Sequence, residues 1–392
     1  MNLRAIMKRL KGEKTPMDNQ RILQDFLDLV KIDAASRNER AVADTVKAKM
    51  SEIGVDLAED DAGEKIGGNT GNLFGVLDGG LPGSILLNAH LDRVANGFGI
   101  KPVIGDDRII RSDGTTILAA DDLSGVVALI DCARRLKASG KKFPRVEFLF
   151  TIAEEAGLYG SKYFDTSKLR SKVGYAFDSP GRMGRVVCTA PGQVHLFIEV
   201  EGRAAHAGNC PEEGVNATVV LAKILAGIRD GRLDPISTSN FAVLDCKNKV
   251  TNIVQPYASC HGEMRSRDAK KIDEYVAYFE KYCQDAAAGT GAVVKTTVTP
   301  MYKSFSFDES APVVQAAVKA LRSMGFETLV NGGGGGMDAN NWNAGGIATV
   351  GVATGYSANH GVSEQIYLDD LLRAGELAEN IVMTWAEMGL PE

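Results

Sequence analysis

The chain has 392 residues, 44% hydrophobic and 24% charged, with a formal net charge of -6. That length accommodates two domains at roughly 100–200 residues each, with a large core that needs no disulfide staple. The acidic balance argues against a nucleic-acid partner, and no apolar run approaches the roughly 18 residues of a membrane helix.

Residues 1–20 are basic but lack the apolar core and cleavage site of a secretion signal, and read as a short solvated arm. Residues 19–53 predict one or two amphipathic helices, with Ile22, Phe26, Leu29 and Val30 on one face. Buried-strand candidates follow at 84–89, ending in His90-Leu91-Asp92, at 145–152, ending in Ala153-Glu154-Glu155, and at 173–177, ending at Asp178. A helix over 122–137 separates the first two, and such alternation predicts an α/β layered sheet. The pattern then changes to strand 193–201, helix 214–229, strands 241–246 and 250–264, helix 269–288 and strand 292–299. This β-α-β-β-α-β order is that of the split ferredoxin-like motif. After Pro312 the α/β style resumes with helix 312–324, loop 331–336, strand 347–353 and a final helix over 368–388. The expected architecture is an α/β catalytic domain, a mixed sheet flanked by helices, built from 1–187 and 302–392. A ferredoxin-like α+β domain at 188–301 interrupts it. Cys132, Cys188, Cys210, Cys246, Cys260 and Cys283 lie far apart with no C-x-x-C pair, which suits free thiols in a reducing cytosol.

The chemistry concentrates where strands end. His90, Glu154, Glu155, Asp178 and His360 lie at or beyond the carboxyl ends of core strands, the edge where open α/β sheets bind ligands. Asp121 starts a helix, where it reads equally well as an N-cap. Glu154-Glu155 places two like charges after an apolar run, which is costly unless cations neutralise them. Imidazole and carboxylate without thiolate suit zinc, with cobalt or manganese as substitutes. Two histidines and three carboxylates exceed the three protein ligands of one catalytic zinc and fit a pair sharing one carboxylate. Asp92 is spaced to receive the other N–H of His90, and the spare glutamate is a natural general base.

Several motifs combine: Asn88-Ala-His-Leu-Asp92, Ser112-Asp-Gly-Thr-Thr-Ile-Leu-Ala-Ala-Asp-Asp122, Glu154-Glu-Ala-Gly-Leu158, Phe177-Asp-Ser-Pro-Gly181, Gly202-Arg-Ala-Ala-His-Ala-Gly208, Thr251-Asn-Ile-Val254 and Gly336-Met-Asp-Ala-Asn340. With them the chain resembles, from about residue 18 to the C-terminus, the peptidase T-like branch of a dinuclear-zinc family. That family includes aminoacylase, carboxypeptidase G and succinyl-diaminopimelate desuccinylase. The resemblance implies a zinc-peptidase-type catalytic domain, an inserted lid or dimerisation domain, and a cytoplasmic homodimer holding two Zn2+ per subunit. It implies that Asp121 bridges the metals, that His90 and Asp178 complete one site, and that Glu155 and His360 complete the other. Glu154 would be the general base and Asp92 the carboxylate orienting His90. His206 would steady the oxyanion, and Asn252 and Arg265 would hold the substrate's carboxylate or backbone. Arg265 could instead pair with Glu263 or Asp268. His195 and His261 receive no role, and Gly332–Gly336 lacks the Lys-Ser/Thr of a phosphate loop.

The chain departs from the family at Arg93, where Thr is common, and at Leu123, where Lys is usual. Arg93 could recruit an acidic substrate side chain or brace a loop. The expected reaction is cleavage of short peptides by metal-activated water. The alternatives are an amidohydrolase or carboxypeptidase acting on N-acyl amino acids or C-terminal residues, and a non-catalytic metal-stabilised binding protein.

Overall fold

The computed structural model describes residues 17–389; residues 1–16 of the basic arm lie outside them. In chain order the principal elements begin with α1 (Met17–Leu29), α2 (Arg40–Ile53), β1 (Leu73–Leu77), β2 (Gly80–His90), α3 (Ala120–Ser139), β3 (Phe143–Thr151), β4 (Val173–Ser179) and β5 (Arg185–Ala190). Next come β6 (Gly192–Glu201), α4 (Ala217–Gly227), β7 (Ser237–Cys246), β8 (Tyr257–Ser266), α5 (Ala269–Ala287) and β9 (Val293–Tyr302). The chain closes with α6 (Pro312–Ser323), β10 (Leu329–Gly332), β11 (Ala348–Ala353) and α7 (Ala374–Met388). Among the described residues two compact units result: 17–189 with 307–333 and 337–389, and 190–306 with 334–336.

In the larger unit a mixed sheet runs in the order β1-β3-β2-β4-β11-β5. Its central strands β3, β2, β4 and β11 are parallel, so their carboxyl ends line one edge. Along β2, Ile85, Leu87 and Ala89 join the main core, whereas Leu86 packs with Trp342 and Phe164 in a second cluster. Burial on both faces is why these strands read as continuous apolar runs rather than alternating ones. Helix α3 is buried along most of its length and packs against α7. The final helix expected over 368–388 is interrupted: a short turn of helix, Leu368–Leu371, precedes α7.

The smaller unit is an antiparallel sheet ordered β7-β8-β6-β9, extended by the short strand Gly231–Asp234. With α4 and α5 it forms the β-α-β-β-α-β motif the sequence predicts. Val194, Leu196, Ile198 and Val200 alternate inward against Ala217, Leu221, Phe279 and Cys283. The strand expected over 250–264 begins only at Tyr257, because Pro256 has no N–H to offer a ladder. Residues 250–256 form a loop instead, held against 205–207 by the bridge between His206 and Ile253, with the Asn252 carbonyl accepting the Ala207 N–H and Val254 donating to the Ala205 carbonyl. No helix among the described residues is long and apolar enough to cross a membrane.

Candidate metal centre

Parallel register fixes the first part of the site. His90 ends β2 opposite Thr151, which ends β3, so the turn after β3 delivers Glu154 and Glu155 beside the imidazole. That turn holds Ala153 at φ 48° and Leu158 at φ 59°, a left-handed backbone that non-glycine residues adopt only when the surroundings enforce it. Asp92 supplies the enforcement. Its Oδ1 accepts the Glu154 N–H at 2.9 Å, and its Oδ2 accepts the Glu155 N–H at 3.2 Å and the Ser36 hydroxyl at 2.5 Å. The His90 Nδ1 lies 3.1 Å from the Asp92 backbone carbonyl and 3.4 Å from its Oδ1. Both contacts favour a proton on Nδ1, which leaves Nε2 as the atom able to coordinate a cation.

Asp121 is not an N-cap. The cap position, Ala119, sits at φ 59°, and Asp121 itself is non-helical at φ -80°, ψ 104°. Its two carboxylate oxygens are divided between the histidines: Oδ1 lies 3.2 Å from His90 Nε2, and Oδ2 lies 3.3 Å from His360 Nε2. Asn359 also donates to Oδ2 at 2.7 Å. His360 Nε2 lies 2.9 Å from Glu155 Oε1, and Asp178 Oδ1 lies 4.0 Å from His90 Nε2. The donor atoms form two groups that share Asp121: His90, Asp121 and Asp178, and Asp121, Glu155 and His360. Glu154 belongs to neither group, and its Oε2 stands 3.9 Å from His90 Nε2.

Electrostatics test whether cations fit. Burial, aided by Asp121, pushes the Asp178 carboxyl up to about 8, and burial likewise raises Glu154, Glu155 and Asp122. Burial works against both His90 protonation and Asp121 ionisation, yet hydrogen bonds to Asp121 and Asp92 raise the imidazole, and those from His360 and then His90 hold the Asp121 carboxyl low. Hydrogen bonds to Asp121 and Glu155 lift His360 to about 10. Without metal, protons are drawn into the site to offset a dense cluster of buried carboxylates. Two divalent cations would satisfy the same field, and the hard oxygen and imidazole donor set suits them.

The structure places several unanticipated residues here. Tyr356 donates to Asp178 Oδ1 at 2.9 Å, and the buried Glu364 accepts backbone N–H groups around Asp121. The buried Glu39 accepts the N–H of Ala153 at 3.0 Å, and burial with the nearby Asp92 raises it to about 7. Only the short distance of Glu364 from His360 offers any sequence signal.

Arg93 points away from the ligands. Its guanidinium is 1% exposed and donates to the Val30 carbonyl at 2.9 Å, Gly97 at 3.3 Å and Leu29 at 3.4 Å. It therefore caps the carbonyls at the end of α1, chiefly that of Val30, since Leu29 already accepts the Ile32 N–H at 3.0 Å, as cations do at helix C-termini. Leu123 is buried in the main core. The first of the two roles considered for Arg93, recruiting an acidic side chain, is replaced by the second. We expect Arg93→Met to lower unfolding free energy by roughly 1–3 kcal/mol, the cost of stranding buried acceptors. Its ranking of peptide substrates should match the parent's, and a lost preference for acidic peptides would contradict this assignment.

In the smaller unit His206 is exposed, and its Nδ1 accepts the N–H groups of Gly208 at 3.1 Å and Asn209 at 3.2 Å. Asn252 is exposed on the neighbouring loop, where its carbonyl accepts the Ala207 N–H at 3.0 Å. Arg265 lies on β8 with its fork on Glu263, at 2.7 and 3.0 Å.

A model for peptidase family M28 matches residues 72–207, and one for a peptidase dimerisation domain matches 189–291. The solved aminopeptidase PepT of Bacillus cereus is 34% identical with a TM-score of 0.84, covering 94% of this chain and 99% of that one. A tripeptidase of Staphylococcus aureus is 31% identical with a TM-score of 0.87, covering 93% and 98%. The uncharacterized protein YqjE of Bacillus subtilis is 33% identical over 367 residues, 93% of this chain and 98% of its own length.

Proposed function

The chain belongs to the peptidase T-like branch of the dinuclear-metal peptidases, and we propose that it removes residues from the free amino end of short peptides, tripeptides foremost. The observation that carries this reading is the pair of donor groups meeting at Asp121, with Glu154 beside them and outside both. His90 and Asp178 would hold one Zn2+, Glu155 and His360 the other, and Asp121 both. When bound, such a pair lowers the pKa of a water and polarises a carbonyl. Glu154 takes the proton of the attacking water on its carboxylate and passes it to the departing amine. Burial in a field of like charges makes Glu154 the stronger base for that step.

His206 enters as the oxyanion donor. Two backbone N–H groups on Nδ1 leave that nitrogen without a proton, so the neutral ring carries it on Nε2, ready to donate. Asn252 and Arg265 are assigned to the substrate's backbone and carboxylate, with Glu263 as the partner that Arg265 exchanges on binding. The insert would also form a homodimer. Val243 and Leu244, 57% and 64% exposed, lie on the half of β7 that pairs on one side only. Six free cysteines support a cytoplasmic setting.

Profiling by mass spectrometry decides the substrate. Free-amine tripeptides should be shortened in the presence of Zn2+, Co2+ or Mn2+, with two metal equivalents in fully active protein. Turnover of N-acyl amino acids without any tripeptide cleavage would reject the aminopeptidase reading.

A further inference from the structure

The kinked segment that leads into α3, from Leu118 to Asp121, is clamped by a residue distant in sequence. The first N–H groups of a helix lack intrahelical acceptors and normally find a capping side chain. Here the helix breaks at Asp121 and Asp122: Asp122 caps the regular part, its Oδ1 accepting the Gly125 N–H at 3.2 Å, while the turn before it, from Leu118 to Asp121, has no capping side chain of its own. Glu364 holds that turn from more than two hundred residues away. Its carboxylate is 1% exposed; Oε2 accepts the N–H groups of Leu118 at 2.9 Å and Ala119 at 3.0 Å, and Oε1 accepts that of Asp121 at 3.0 Å.

What the clamp holds is an irregular backbone. Ala119 is left-handed, and Asp121 leaves helical geometry just where its carboxylate must face two histidines. A non-glycine residue in that region is strained and persists only under external constraint. The same short segment that bears Glu364 also bears His360 and Asn359, which donates to Asp121 Oδ2 at 2.7 Å. One segment thus supplies a histidine ligand, a hydrogen bond to the shared carboxylate and a three-point hold on its backbone.

We propose that Glu364 is a positioning residue for Asp121 and that tight binding of the metal pair depends on it. This rests on the reading of the site as a dinuclear metal centre. Within that reading Glu364 touches neither donor group directly; it acts through the backbone that aims Asp121.

The test compares the full-length protein with Glu364→Gln and Glu364→Ala by calorimetric Zn2+ titration against a competing chelator and by the visible absorption of the Co2+ form. Glutamine keeps the volume but turns an N–H2 towards backbone donors, so at least one of the three hydrogen bonds is lost. Zinc affinity should fall about 10–100-fold in each folded variant, as for other groups that orient metal ligands, and the Co2+ band should change shape. A Gln variant with a lowered melting temperature but parental affinity and spectrum would overturn the proposal, since that is the signature of a merely structural role. Should the alanine variant fail to fold, the glutamine variant carries the test. Fewer than two equivalents in the parent would instead overturn the metal reading, and the proposal with it.

Discussion

Glu154→Gln should lower kcat by about 10²–10⁴-fold, the usual worth of a positioned general base, while retaining both metal equivalents. The geometry separates the two readouts. Glu154 lies outside both donor groups, so amidation removes no ligand. Its position comes from its own N–H, which donates to Asp92 Oδ1 at 2.9 Å, a contact the substitution leaves in place. Burial first, then the charges of Asp178, Glu155 and Asp338, raise its carboxyl against the pull of His90. A neutral glutamine relieves that repulsion, so the metal-free variant should melt no lower than the parent. Steady-state kinetics, metal analysis and melting curves on one preparation check all three. Parental kcat in the variant would remove Glu154 from the mechanism, and loss of metal would make it a ligand instead.

How far the sequence reaches can be judged residue by residue. The runs before His90, Glu154 and Asp178 are legible because strands buried on both faces must be apolar throughout, and parallel neighbours bring their ends to one edge. Asp121 was open between cap and ligand, since its non-helical backbone is imposed by Glu364, 243 residues distant. Ser36 and Asn359 are hidden for the same reason, at 56 and 238 residues from the carboxylates they serve. Arg93 shows the opposite error. A cation next to a ligand invites a substrate role, yet the carbonyls at the end of α1, that of Val30 above all, decide where it points. Local pattern announces which residues are chemically able; loop-to-loop hydrogen bonds decide which of them face one another.

Metal removal should make stability steeply dependent on pH. The native apo site holds protons that the unfolded chain releases. Asp178 is raised by burial to about 8, and Glu154, Glu155 and Asp122 are raised too, whereas free carboxyls ionise near 4. His360, raised by its hydrogen bonds to about 10, stays charged where a free histidine is neutral. Raised folded-state values contribute stability below the unfolded pKa and lose it as pH climbs through the folded one. Asp178 therefore weakens the apo protein across about pH 4–8 and His360 across about pH 6.5–10, while the other raised carboxyls act in the same direction above about pH 4. Asp121, held low, acts only in more acidic solution. One excess proton over three pH units amounts to about 4 kcal/mol, so chelator-treated protein should melt roughly 5–10 °C lower at pH 8.5 than at pH 5.5. Metal takes the place of those protons, so the loaded protein should change far less and zinc uptake at pH 7 should release protons into the buffer. Calorimetry in buffers of different ionisation enthalpy measures that release directly. A flat or rising apo melting curve across this window would mean that the carboxylates are already compensated without metal.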